Sequence, residues 1–327
     1  MILVTGGAGF IGSNLVAALV ERGERVVVCD RLGSGEKWQN LVRHELEDFI
    51  SPGELSGYLE TRGALLDTVV HLGAISQTTA TDGDQLVVNN FKLSQELWDW
   101  CAGERKPFLY ASSAATYGDG AAGFDDDMSV AYLARLRPLN AYGWSKLLFD
   151  RWVARRLVGE APQPPQWAGL KFFNVYGPNE YHKEAQASVV RHLFLQIAES
   201  GTARLFQSHR PGVPDGGQQR DFVWVGDCVD VMLWLLGNPE VTGLFNLGTG
   251  RARSFAELAR ALFAAMEKPE NIEYVPTSEA IRDRYQYFTE AKMDRLAAAG
   301  YRRPFTSLEA GVAYYLHDYL ESDDPYR

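Results

Sequence analysis

The chain predicts an α/β fold: a doubly wound parallel sheet of the dinucleotide-binding kind, with a smaller, discontinuous substrate-binding lobe. Three observations carry this. β-Branched runs alternate with helical patterns through the first half. A glycine-rich turn follows the first run at once, and an aspartate closes the second about 20 residues later.

The runs are ILVT (2–5), RVVVCD (25–30), LDTVVHLG (66–73) and PFLYASS (107–113). Their near-continuous apolar character suits strands covered on both faces. Between the first two, Ile11, Leu15, Ala18 and Leu19 recur at helical spacing, which predicts a helix from about Phe10 to Arg22 closed by Gly23. NNFKLSQELWDWCAG repeats the pattern and ends at Gly103. GEAPQPPQWAG (159–169) is rich in Pro and Gly, but strand-like LKFFNVYGP follows, so it is expected to be a surface loop inside a domain. Beyond Pro178 the alternation weakens, and HRPGVPDGGQQ (209–219) is a polar excursion before RDFVWVGDCVDVMLWLL; a helix is expected from Ser254. The dinucleotide-binding domain is therefore expected at 1–174 plus about 219–250, and the substrate lobe at about 175–218 and 251–320.

With 327 residues, 46% hydrophobic and 12% aromatic, the chain has material for one large core or two coupled lobes. A net charge of −10 argues against general attraction to nucleic acid or anionic lipid, while leaving room for a local basic pocket that takes a phosphorylated ligand. Cys29, Cys101 and Cys228 show no disulfide or zinc-ligand spacing, so reduced thiols and no metal are expected. No apolar run has the length of a membrane span, and strand-like ILVTG follows Met1 directly; the expectation is a cytoplasmic protein without a targeting segment.

TGGAGFIG holds two overlapping fingerprints, Gly7, Gly9 and Gly12 in one spacing and Gly6, Gly9 and Gly12 in the other. Glycines allow the tight turn and close approach of a pyrophosphate, and the helix N-terminus that follows offers N–H groups to it. Asp30 would bind an adenosine ribose diol and favour NAD, whereas Arg31 and Lys37 would neutralise a 2′-phosphate and favour NADP.

In YGWSK, Tyr142 and Lys146 are four apart and project from one helix face. An ammonium beside a phenol lowers the phenol's pKa and suits proton exchange with an alcohol or carbonyl. YASSAATYG, about 25 residues earlier, ends a strand and supplies Ser113 to hold the reacting oxygen.

GGAGFIG, SSAATYG, YGWSK and FNVYGP together resemble the extended short-chain dehydrogenases/reductases that act on nucleotide-sugars. More closely, PLNAYGWSKLLFD, FFNVYGP, HK, ASVVRHL, RDFVWVGD, GLFNLGTGRARSF and RYQYFT resemble the ADP-L-glycero-D-manno-heptose 6-epimerase family, over nearly the whole chain. The resemblance implies inversion at C-6 of an ADP-heptose with bound NADP (or NAD), Tyr142 and Lys183 as two acid/bases, Lys146 tuning Tyr142, and Ser113 at the reacting oxygen. It implies cofactor contacts from Gly6, Gly7, Gly9, Phe10, Ile11, Gly12, Asp30, Arg31, Lys37, Leu72, Gly73, Ala74, Ile75, Ser76, Asn89, Tyr142, Lys146 and Val175. Substrate contacts are implied for Ser113, Asn174, Lys183, Ala185, His192, Phe206, Arg220 and Tyr285. A homo-oligomer, with a pentamer as one form, and a role in heptose precursors of bacterial lipopolysaccharide are implied too.

Two bases have a chemical reason. After oxidation the carbonyl must show its other face to the same nicotinamide, which moves its oxygen to the opposite side of the site, beyond reach of one fixed proton donor. The chain departs from the family at Glu184 and Ala185, where a small Gly-Ser pair is usual, and in a longer 209–219 excursion. A nucleotide-sugar 4-epimerase would need only one base. A 4,6-dehydratase would need acids where Ala114 and Ala115 stand. A catalytically silent dinucleotide-binding protein would have no need of Tyr142, Lys146 and Ser113 together.

Overall fold

The structure is a computed structural model that describes residues 1–277 and 286–327. β1 (Ile2–Thr5), β2 (Val26–Cys29), β3 (Asp48–Ile50), β4 (Thr68–His71), β5 (Phe108–Ser113) and β6 (Trp167–Phe172) alternate with helices. Short outer strands follow: β7 (Asn174–Tyr176), β8 (Ala203–Phe206), β9 (Gln219–Arg220) and β10 (Phe222–Trp224). β11 (Gly243–Leu247) then returns to complete a seven-stranded sheet in the order β11-β6-β5-β4-β1-β2-β3. Every pairing in it is parallel. Because β1 lies between β2 and β4, the winding reverses there, and a crevice opens beyond the strands' carboxyl ends.

The strands' period of two sorts the core. Ile2, Val4, Val26, Val28 and Val70 face one side, with Leu15, Val16 and Leu19 of the helix Phe10–Glu21 and Val231 and Met232 of the helix Val225–Leu236. Leu3, Val27, Val69, Phe108 and Tyr110 face the other, with Leu97 and Trp98 of the helix Leu93–Gly103 and Phe149 and Val153 of the helix Ala141–Val158. Burial on both faces is what the apolar runs require. The helix ending at Gly103 differs from expectation at its start, where Val87–Lys92 forms a wide π-type turn. In that turn Asn90 is fully buried and makes contacts that a sequence pattern does not display.

A further core gathers Tyr176, Val190, Leu193, Ile197, Leu205, Phe222, Leu262 and Tyr315. It is built by the helices Val189–Ser200, Phe255–Ala265 and Leu308–Tyr315 around the parallel pair of β8 with β13 (Ile272–Val275), while β12 (Arg253–Ser254) pairs antiparallel with β9. Ser254 and Glu257 form a reciprocal capping box at the helix start expected from Ser254. Leu296 and Tyr301, later in the chain, pack in the first core instead. Cys29, Cys101 and Cys228 are buried free thiols. Among the described residues no helix is long and apolar enough to cross a membrane.

Candidate active site

β1 passes at Thr5 into the glycine turn. Gly6 has φ +70°, and a Cβ there would lie 2.6 Å from the Gly73 nitrogen; one on Gly12 would lie 2.1 Å from the Gly6 oxygen. Only glycine permits both approaches. Gly7 packs instead on Val28, beneath the loop. Gly9 caps the following helix without a side-chain hydrogen bond, so its first-turn N–H groups face the crevice as an anion site. Asp30, at the end of β2, accepts from Ala8 N at 2.9 Å through Oδ2, and from Arg31 N and Lys37 Nζ at 2.6 Å each through Oδ1. The Arg31 side chain itself is exposed.

The segment after β4 forms the opposite wall. Asn90 holds it, accepting from Ile75 N at 2.8 Å and donating to Ile75 O at 2.9 Å and Ser145 Oγ at 2.9 Å. Asn89 points away, donating to Gln85 O at 2.8 Å. Below, the buried His71 ring lies 2.6 Å from Thr5 Oγ1 and 2.9 Å from Ser94 Oγ. Burial, and then the charge of Lys146, pushes its pKa down to about 3.

Tyr142 and Lys146 share a face of the helix Ala141–Val158, whose first turn is capped by Asn140 accepting from Gly143 N at 2.8 Å. A Cβ on Gly143 would stand 2.6 Å from Ala115 O, so glycine lets the helix press against the turn after β5. Ser113 is thereby brought beside Tyr142; burial raises the phenol's pKa, the Ser113 hydroxyl acts to lower it, and the net direction is upward. Lys146 is buried and donates to Ala111 O at 2.9 Å. Burial pushes its pKa down to about 8 against the opposing charge of Asp150. One turn further along the helix, Asp150 accepts from Ser112 Oγ and from Lys171 Nζ, both at 2.8 Å, in a fully buried ion pair.

Lys183 comes from the turn Tyr181–Gln186. Its Nζ lies 5.5 Å from the centroid of the Phe10 ring, and burial lowers its pKa although Glu180 acts the other way. Buried Glu180 accepts from Ser188 N at 2.5 Å, Ser188 Oγ at 2.6 Å and Tyr315 OH at 3.0 Å. Asn40 Nδ2 lies 3.2 Å from His182 Nδ1 and donates to Ala8 O at 2.9 Å and Asn179 O at 3.1 Å, while Asn14 Nδ2 donates to Pro178 O at 3.0 Å. The glycine turn and the Lys183 turn are thus hydrogen-bonded to the same side chains. Burial, followed by Lys37 and Lys183, pushes the His182 pKa down to about 4, which keeps its ring neutral at physiological pH.

All these elements open on one cavity of about 850 Å³, lined among others by Gly9, Asp30, Ser113, Tyr142, Lys146 and Lys183. Gly6, Phe10, Ile11, Gly12, Lys37, Leu72, Gly73, Ala74, Ser76, Asn174, Val175 and Ala185 also line it. His192, half-buried on the helix Val189–Ser200, Phe206 on β8 and Arg220 on β9 lie outside its lining. The Arg220 guanidinium donates to Gln219 O at 2.8 Å and to Gln286 O, and lies 5.6 Å from the Phe255 ring centroid. Tyr285 falls outside the described residues. Sequence reasoning missed Glu180 and Gln186, which line the cavity, and Asn90 and Asp150 behind it. Of these only Asp150, four residues after Lys146, carried a usable signal, its helical spacing.

A glycine turn at the switch point of a doubly wound sheet, with Tyr142, Lys146 and Ser113 converging on the same crevice, defines a dinucleotide-dependent enzyme of the short-chain dehydrogenase/reductase class. The chain belongs to the NAD dependent epimerase/dehydratase family, which it matches over residues 2–248. It is 49% identical over 332 residues to the ADP-L-glycero-D-manno-heptose-6-epimerase of Nitratidesulfovibrio vulgaris, with 100% of each chain covered. The crystal structure of the Helicobacter pylori ADP-L-glycero-D-manno-heptose-6-epimerase superposes with a TM-score of 0.79 at 28% identity, over 96% of this chain and 94% of that one. The Thermus thermophilus UDP-glucose 4-epimerase in complex with NAD gives 0.74 at 25% identity, over 96% and 97%.

Proposed function

We infer that the protein interconverts ADP-D-glycero-D-manno-heptose and ADP-L-glycero-D-manno-heptose by inverting C-6 of the heptose. The observation that carries this is the convergence of two proton-transfer groups from different elements, Tyr142 and Lys183, on one cavity. The full-length similarity to heptose epimerases supports it. The test is incubation with ADP-D-glycero-D-manno-heptose and, separately, UDP-glucose, with products resolved by chromatography. The heptose epimer is expected; turnover of UDP-glucose alone would overturn the assignment in favour of a 4-epimerase.

The cofactor is a nicotinamide dinucleotide, and the residues present fit one. The glycine turn, closed so tightly that a Cβ is excluded, and the uncapped first helical turn suit the pyrophosphate, and Asp30 with Lys37 suits the adenosine ribose. When bound it supplies reversible hydride exchange with the sugar's secondary alcohol. NADP is the proposed form, because Lys37 neutralises Asp30 and brings positive charge to the ribose edge. Lys37→Ala is expected to weaken NADP binding on the order of tenfold more than NAD binding in calorimetric titration. Equal losses would remove the basis for NADP.

The chain's own residues handle the proton. On one face of the sugar Tyr142 takes or returns the hydroxyl proton, with Ser113 beside it acting to lower its pKa and Lys146 one turn along the helix. After the carbonyl turns over, its oxygen lies on the other side, where Lys183, with a pKa lowered by burial, serves as the second donor or acceptor. Asn174, Ala185, His192, Phe206, Arg220 and Tyr285 are assigned to the ADP-heptose, with residues 175–218 and 251–320 as the substrate lobe and 1–174 plus 219–250 as the cofactor domain. The same reading places a homo-oligomer in the cytoplasm, with a pentamer as the form to test by sedimentation.

A further inference from the structure

The Lys183 turn has little hold of its own. Tyr181, His182, Lys183 and Gln186 are only half-buried, Glu184 and Ala185 are exposed, and Glu184 has φ +47° and ψ −118°. Anchors at its two ends are on the page already: Asn14 and Asn40 hold Pro178 and Asn179, and Glu180 holds Ser188. Within the turn His182 meets Asn40 and Gln186 Nε2 donates to Thr79 Oγ1 at 3.3 Å, and a further anchor comes from residues 324–327. The Tyr181 hydroxyl donates to Pro325 O at 2.8 Å, the Tyr181 and Tyr326 rings meet edge to face at 5.3 Å, and Arg327 N donates to Asn179 Oδ1 at 3.0 Å.

The same few residues grip the cofactor side on their other flank. Asp324 pairs with Arg43, His44 Nε2 lies 3.0 Å from Arg327 O, and the Arg327 guanidinium lies 3.3 Å from Glu21. These contacts are at or near the surface, where each ion pair contributes little to global stability, about 0–1 kcal/mol. Their geometric effect is out of proportion to that, since they span from the flank of the glycine-turn helix to a residue two positions before Lys183.

We propose that Asp324–Arg327 form a strap that sets the position of Lys183, with Tyr181 as the positioning residue through which it acts. The strap does not touch substrate; it fixes where the second base stands relative to Phe10 and the cavity. Tyr142 and Lys146, on the far wall, are held by the helix Ala141–Val158 and do not depend on it. Loss of the strap therefore impairs one proton route and spares the other. The inference rests on the two-base reading above.

The test compares the parent enzyme with a chain ending at Ser322 and with Tyr181→Phe, each in its cofactor-loaded form. In both variants kcat is expected to fall about tenfold or more, as a displacement near 1 Å of a catalytic group would cause. KM is expected to change by less than kcat, since Lys183 is one of several groups assigned to the substrate. Bound cofactor and melting temperature are expected to match the parent. Single-turnover formation of reduced nicotinamide, started from each epimer in turn, is expected to slow for one epimer and hold its parent rate for the other.

Parent kcat in Tyr181→Phe, or an equal loss from both epimers, would overturn the proposal. Should the shortened chain not fold, Tyr181→Phe decides alone. A parent enzyme inactive on ADP-heptose refutes the function, whereas an active parent with unaffected variants refutes only the strap.

Discussion

Tyr142 and Lys183 illustrate how differently two catalytic candidates are encoded. Tyr142 is legible because its partner Lys146 is four residues away on one helix, a local relation that the sequence states directly. Lys183 has no such same-helix partner; its setting is made by Glu180 three residues earlier, by Phe10 and, through the neighbouring His182, by Asn40, the last two far off in the chain. Tyr142→Phe and Lys183→Met are each expected to lower epimerisation by about 10²–10⁴-fold with cofactor retained, measured by chromatography of the two epimers. Full activity in Lys183→Met would refute the two-base mechanism. Glu184 is the other residue to test. Its positive φ with ψ −118° belongs to glycine's territory. Glu184→Gly is expected to raise stability by about 1 kcal/mol, relief of strain exceeding glycine's entropic cost, as read from the denaturation midpoint.

At the scale of elements, the glycine turn and its helix were predictable because both are local devices. The turn needs residues without Cβ, and the helix needs its apolar face and a terminator; Gly23, at φ +78°, ends it as expected. Gly12→Ala places a methyl 2.1 Å from Gly6 O, so the turn must open. The expected result is purified protein without bound nicotinamide, measured by the absorbance of the released cofactor. Retention at parent level would show that the turn tolerates the methyl. The π-type turn at Val87–Lys92 was not predictable. It is chosen by what Asn90 reaches, Ile75 and Ser145, and those partners belong to other elements.

At the scale of the whole molecule, buried polar groups tie the sheet to the site. Lys171 on β6 and Asp150 on the Tyr142 helix form an ion pair at 2.8 Å with both side chains at 0% exposure. Breaking one partner leaves an uncompensated buried charge, a change of about 3–5 kcal/mol. His71 makes stability depend on pH. Its folded pKa of about 3 lies below the ordinary 6.5, so between these values the unfolded chain binds the proton and the folded one does not. Stability from this group is complete above 6.5 and is lost as pH falls toward 3, with a slope of at most about 1.4 kcal/mol per pH unit. In His71→Gln this slope is expected to vanish. Denaturant midpoints at about pH 7 and about pH 4.5 would then fall less far apart than the parent's. An unchanged difference would show that other groups carry the acid sensitivity.

The sequence by itself determined the parallel sheet, the nucleotide turn, and the Tyr142–Lys146 pair suited to proton exchange with an alcohol or carbonyl. Each rests on periodicity, on a backbone conformation only glycine allows, or on a spacing within one helix, and such relations survive without knowledge of the rest of the chain. Only the tertiary structure decided that Asn90 rather than Asn89 braces the cofactor wall, that Glu180 is buried beside Lys183, and that the chain's last residues lie against Tyr181. The physical reason is common to all three. These are contacts across long sequence separations, where partners are chosen by packing and by the need to satisfy buried polar groups, and no local pattern records the outcome.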